Sequence, residues 1–169
     1  VHNGIIKDRA LFSNALQNAI KRAQVASNQT IEDALLNVPN GNTRFTIQTG
    51  IIQNNNDQSG TLKAEAMKKS TYCIDKKDHS ILHLIPINKR ADGRMVALDD
   101  TTRVSSLEVD TGIVLCDTGN LRCVISSIKA LNINIKGIIC DFLSAGAILI
   151  PQNSKKSHLI MDIGAQVTL

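Results

Sequence analysis

The residues best placed to do chemistry stand near the end of the chain, where the apolar run Leu159, Ile160, Met161 leads into Asp162-Ile163-Gly164 and then Thr168. The run predicts a buried strand, and the glycine permits a tight turn after it. In that arrangement the Asp162 carboxylate stands at a strand end. The amides of Gly164 to Thr168, with the Thr168 hydroxyl, can then cradle a phosphate as backbone nests do. Taken alone, the same residues also read as an ordinary hairpin with a turn-forming Asp and Gly, the commoner case. Little else in the chain suggests a reactive centre. His83 lies inside the apolar run Ile81 to Ile87 with no second His, Cys or acid at workable spacing, so it is expected to be packed and hydrogen-bonded. Cys73, Cys116, Cys123 and Cys140 form no C-x-x-C pattern and predict no metal site. Cys116 and Cys140, inside apolar runs, read as small core residues in a reducing compartment.

The elements that would position such a site follow from periodicity. Asn3 to Lys7 predicts a short strand, with Asp8 as the N-cap of a helix running to about Ser27 on the stripe Phe12, Leu16, Ala19, Ile20, Ala23. Ala34 to Val38 predicts a strand closed by the turn Pro39-Asn40-Gly41. Phe45, Ile47, Thr49 and Ile51 alternate with Arg44, Thr46, Gln48 and Gly50, the period of a half-buried strand. Its apolar face is expected inward, and the Arg44, Thr46, Gln48 face outward as a partner surface. Gln53 to Gly60 reads as a loop, Thr61 to Tyr72 as a short helix, and Ile81 to Ile87 as a strand. Asn88 to Arg103 reads as a polar crossover with the turn signals Asp92-Gly93 and Asp99-Asp100. Beyond it come a strand at Leu107 to Leu115, a helix capped by Thr118 or Asn120, a strand at Lys136 to Phe142, a helix at Ser144 to Ile150, and the final strand. That succession implies a covered, partly parallel sheet in the second half.

Composition narrows the function classes. A chain of 169 residues can bury roughly two thirds of its unfolded surface. At 2% aromatic content it lacks the stacking platforms of single-stranded nucleic-acid binders, so no nucleic-acid partner is expected. The +4 net charge comes from scattered basic pairs such as Lys68-Lys69 and Lys155-Lys156, which read as solvated surface. Gly137 to Ile150 is too short to span a bilayer and contains Asp141. No signal peptide is visible, and the chain opens at Val1 without Met, as a piece of a longer protein would.

The order of these pieces resembles the actin-related bacterial cell-division protein FtsA, over essentially the whole chain. The resemblance runs through Asn3-Gly4-Ile5-Ile6-Lys7-Asp8 before an Ala-rich helix, Ala34 to Asn40, Ile81 to Pro86, Leu107-Glu108-Val109, the helix near Leu121, Phe142 to Leu149, and Met161-Asp162-Ile163-Gly164. It implies a mixed α+β and α/β fold: an SHS2-type strand-helix-strand-strand 1C subdomain (1–95) inserted in an actin-like, ribonuclease H-like subdomain 1A (continuing over 96–157), with subdomain 2A starting at 158–169. It implies ATP and Mg in the parent protein, with Asp162, Gly164 and Thr168 as part of the second phosphate loop. Ala165, Gln166 and Val167 stand where the family's D-I-G-G-G-T-T pattern has Gly, Gly and Thr, and side chains at the two glycine positions would crowd a phosphate even in the parent. The resemblance puts the first phosphate loop upstream of Val1 and the adenosine site beyond Leu169, so the chain alone is expected neither to bind ATP well nor to be an enzyme. The resemblance further implies a scaffold that polymerises and links FtsZ to the inner face of the cytoplasmic membrane at the division site. The 1C unit would then serve self-association and the docking of FtsN or other division proteins. A PilM-like pilus scaffold and a metabolite kinase of the actin-like ATPase fold are the alternatives; the kinase would require a catalytic acid that the residues do not offer.

Overall fold

The computed structural model describes residues 6–151 and 156–161, with the side chains of Asn40 and of residues 54–60 outside the description. The elements are α1 (Arg9–Ser27), β1 (Asp33–Val38), a 3-10 turn (Asn40–Asn42), β2 (Thr43–Gln58), α2 (Ser59–Lys69), β3 (His79–Ala91), β4 (Arg94–Val96), β5 (Arg103–Asp117), α3 (Thr118–Lys129), β6 (Asn134–Cys140) and α4 (Asp141–Leu149). The fold is mixed α and β, with one parallel and one four-stranded sheet. Compactness divides the chain into a discontinuous unit 1 (Val1–Thr43 with Cys116–Leu169) and a continuous unit 2 (Arg44–Leu115). These boundaries fall at other places than the 1–95, 96–157 and 158–169 partition implied by family likeness.

In unit 1, β1 and β6 pair in parallel, with an irregularity between Ala34 and Leu35. Helix α1 forms where its cap demands: the Asp8 carboxylate accepts from the Leu11 amide at 3.0 Å, and Asn28 closes the other end in the left-handed conformation at φ 52°. Of its expected stripe, Phe12, Leu16 and Ile20 are half-buried, while Ala19 and Ala23 face solvent. The stripe is therefore one residue wide, and α1 meets α3 with Ser13 and Ser127 hydroxyls 3.3 Å apart. Helix α3 is capped neither by Thr118 nor by Asn120 but by Asp117, which accepts from the Asn120 amide at 2.6 Å. Asp117→Ala is expected to lower the stability of this unit by about 1 kcal/mol, measured by urea denaturation; an unchanged midpoint would show that the cap is idle.

In unit 2 the strand order is β2-β5-β3-β4. The inner strand β5 alternates in burial from Arg103 to Asp110, with Val104, Leu107 and Val109 inward, and is buried on both faces from Thr111 to Cys116. Val104, Leu107 and Val109 form the core with Ile52 of β2 and with Leu62 and Ala66 of α2. Burying these apolar groups supplies the drive that orders the unit, at about 25 cal/mol for each Å² removed from water. The Asn88 to Arg103 stretch is not a crossover. Strand β3 continues to Ala91, turns at Asp92 and Gly93, both with positive φ (47° and 77°), and returns as β4. The Asp92 side chain then accepts from the amides of Ser105 and Ser106 at 3.0 and 2.8 Å. Pro86 is tolerated in β3 because β4 pairs only with Lys89, Arg90 and Ala91.

Three further expectations are corrected. Residues 53–58 are not a loop: they extend β2 to Gln58. Ile6 and Lys7 are not strand, and Asn3 to Ile5 lie outside the described residues. Residues 158–161 are irregular rather than a buried strand, with Leu159 at 85% exposure.

Cys116, Cys123 and Cys140 are buried and Cys73 is exposed. Burial pushes the Cys116 thiol up to about 11 and raises that of Cys140 as well. Alkylation of the native chain at mildly alkaline pH is therefore expected at Cys73 alone, read by peptide mass spectrometry, with the other three reacting only after denaturation. Native labelling of Cys116 would contradict the buried core of unit 1.

Candidate protein-interaction surface

Strand alternation in β2 creates two faces, and contacts decide which one is covered. A Cβ at Gly50 would lie 1.8 Å from the Ala66 carbonyl oxygen, so α2 rests directly on the Gly50 side of the strand. Ile52, on the same side, joins the core. Thr46 and Gln48 share that face by alternation and are half-buried, while Arg44 at the strand's start is exposed. The face expected to be apolar and inward is thus the outward one: Phe45, Ile47 and Ile51 are 51%, 54% and 51% exposed. Phe45 lies over Gly112 of β5, where an added Cβ would come within 2.7 Å of its ring. Glycine there lets the ring settle onto the backbone of the central strand.

The apolar strip borders a polar network on the same face. Thr49 donates to the Asp110 carboxylate at 2.8 Å and Asn88 at 3.1 Å, and the Arg90 guanidinium pairs with it at 3.0 Å. Arg90 also reaches Glu108 at 3.7 Å. The Thr49 hydrogen bond, then those of Arg90 and Asn88, hold the Asp110 carboxyl below its ordinary range. The network ties β2, β5 and β3 together and leaves Asp110 ionised with its acceptors occupied. Apolar strip and fixed charges together make a firm, patterned face. The signal was present in sequence: Asn88-x-Arg90 and Glu108-x-Asp110 each place polar residues at a spacing of two, so each pair shares one face of its strand.

Elsewhere in unit 2, Lys89 is fully buried and donates to the Asp100 carbonyl. Burial lowers its pKa from the ordinary 10.5, with the nearby Asp100 carboxylate opposing and Lys63 adding to the shift. Its ammonium anchors the turn before β5, where Lys63 also donates to the Leu98 carbonyl at 3.1 Å. His83 is half-buried in β3, and its Nε2 atom is buried with no hydrogen-bond partner among the described residues, so the expected hydrogen bonding is not met at that nitrogen.

In unit 1, the Asn37 side-chain amide near the end of β1 donates to the Asp141 carboxylate at the start of α4, and the Ser144 hydroxyl donates to Asn37 Oδ1 at 3.5 Å. This polar knot stands at the carboxyl ends of two parallel strands, where open α/β sheets receive ligands. An apolar cavity of about 250 Å³ in the same unit is lined by Phe12, Leu16, Leu36, Leu121, Val124 and Ile128, among others. Asp162, Gly164 and Thr168 lie outside the described residues. No cluster of metal-ligating side chains occurs among the described residues, and no helix among them is long and apolar enough to cross a membrane.

No protein-family model matches the chain. Among curated proteins it is similar to the cell division protein FtsA of two strains of Staphylococcus epidermidis, each 24% identical over 172 aligned positions that cover 99% of this chain. The chain spans 37% of the length of these relatives.

Proposed function

We propose that this chain is a protein-contact segment of an FtsA-like cell-division scaffold, working through the open face of the unit 2 sheet. The observation that carries this reading is the strip Phe45, Ile47, Ile51, apolar and half in solvent on a sheet whose other face is covered by α2. Exposed apolar patches bordered by fixed polar groups mark protein-binding surfaces. The order of unit 2, strand, helix, then further strands, suits an SHS2-type insert, which would place that insert at 44–115 between two parts of an actin-like subdomain. The similarity to FtsA along nearly the whole chain supports a role in division.

The finer points belong to the same proposal. A longer protein carrying this segment polymerises and links FtsZ filaments to the inner face of the cytoplasmic membrane. It meets FtsZ, FtsN or other division proteins as well as further copies of itself. ATP and Mg would be held by that longer protein, with Asp162, Gly164 and Thr168 at the phosphates; this segment by itself is not an enzyme. The partner face is assigned to Phe45, Ile47 and Ile51 together with Arg44 at its margin, in place of the half-buried Thr46 and Gln48.

The test is a triple substitution, Phe45→Ser, Ile47→Thr and Ile51→Thr, in the longer protein as the only copy in its host. Normal protein levels with blocked septation are expected, since the three side chains are about half exposed and none belongs to the buried core cluster of unit 2. Normal septation at normal protein levels would refute the reading.

A further inference from the structure

Among the described residues, strand β2 is the outermost strand of its sheet, bonded on one side to β5 and presenting its other side as an edge. It is 16 residues long. Long edges are a template for another strand, and proteins ordinarily blunt them with lysine, proline, bulges or brevity. The other edge of this sheet is blunted by brevity and by a charge: β4 has 3 residues and begins with Arg94. The stretch Phe45-Thr46-Ile47-Gln48-Thr49-Gly50-Ile51-Ile52-Gln53 carries no charge, no proline, and mostly β-branched or aromatic residues. That combination also marks segments that stack on copies of themselves.

We infer that β2 pairs antiparallel with β2 of a second copy of this chain, about a two-fold axis at Gln48, joining two unit 2 sheets into one. This rests on the reading of unit 2 as a contact module and names the partner of its β2 side. Charge and register favour a second copy over a different protein. The uncharged edge offers an ionic partner nothing to pair with, whereas an identical edge brings no repulsion. Centred on Gln48, the register sets Phe45 opposite Ile51 of the second copy and Ile47 opposite Thr49, so each exposed apolar residue gains an aromatic or β-branched neighbour across the seam. A shift of two residues would leave Phe45 facing Gln53. An isologous contact of this kind closes on itself, so this chain forms a dimer through it, and a polymer of the longer protein grows through other surfaces.

The experiment is sedimentation velocity of the 169-residue chain over a concentration series, with Ile47→Lys on the edge strand and Met95→Lys on the short β4 edge as its control. Both positions are exposed, so both variants are expected to keep the fold. A concentration-dependent dimer is expected for wild type and Met95→Lys, and a dissociation constant raised at least about tenfold for Ile47→Lys. A Gln48→Cys chain in a Cys73→Ser background is expected to form a disulfide-linked dimer on mild oxidation, because the axis places the two residues opposite each other. The inference is overturned by a wild type that stays monomeric throughout, by a dimer that survives Ile47→Lys, or by an equal loss in Met95→Lys. A monomeric wild type beside a septation defect in the triple variant would overturn the pairing alone. A dimer of this kind beside normal septation would support the pairing and refute the division role.

Discussion

Gly50→Ala is expected to unfold unit 2 selectively, lowering its stability by about 3 kcal/mol. The reason is geometric. A Cβ on Gly50 would stand 1.8 Å from the Ala66 carbonyl oxygen and 2.7 Å from the carbonyl carbon, both backbone atoms of α2. That oxygen is itself held in place, accepting from the Ser70 amide at 3.0 Å. No rotamer change can relieve a clash with backbone, so α2 must lift. Lifting it opens the cluster of Ile52, Leu62, Ala66, Val104, Leu107 and Val109, the core of the unit. Chemical denaturation followed by circular dichroism reads the effect. A loss under about 1 kcal/mol would mean that α2 does not lie on β2 as described.

Asp110→Ala is expected to cost about 2 kcal/mol, because it removes the shared acceptor of Thr49, Asn88 and Arg90. The loss should exceed that of a surface ion pair, since the Asp110 side chain is only 13% exposed and Arg90 would keep only its longer contact to Glu108. The pH dependence follows from the same geometry. The folded carboxyl titrates below its ordinary 3.8, led by the Thr49 hydrogen bond. The unfolded chain therefore binds the proton first as pH falls, and the stability from Asp110 is complete above pH 3.8 and lost below it. Asp110→Asn should flatten that part of the stability curve. If wild type and Asp110→Asn lose stability in parallel below pH 4, the network is not carrying the acid sensitivity of unit 2.

Both predictions concern features that periodicity could not settle. Alternation in β2 divides Phe45, Ile47, Thr49 and Ile51 from Arg44, Thr46, Gln48 and Gly50, but it does not say which set is covered. Hydrophobicity favours the first set, and packing chose the second, because only glycine allows a helix to lie so close. Gly50 was the available clue, an isolated glycine inside a strand pattern marking close backbone approach. Locally determined features were legible: the Asp8 cap and the bounds of α1, the β1 strand expected at 34–38, and the burial of Cys116 and Cys140. The strand expected at Lys136 to Phe142 lies earlier, at Asn134–Cys140, and the helix expected from Ser144 already begins at Asp141, so only their existence and type were legible. Features that depend on distant partners were not. Residues 53–58 continue β2 although they are polar and aperiodic, and the Asp92-Gly93 turn becomes a hairpin through β4. Buried Lys89 lies in a polar stretch that reads as surface until the turn around Asp100 closes over it.

The central claim is that the β2 side of unit 2 is where this chain meets another protein, its own second copy first. Amide hydrogen exchange, followed by mass spectrometry in dilute and in concentrated protein, tests it most directly because it reports on the backbone edge itself. Slowed exchange on association, confined to the Phe45 to Gln53 stretch and absent from β4, is the predicted result. Unchanged exchange in that stretch, with protection appearing elsewhere in the chain, would contradict it.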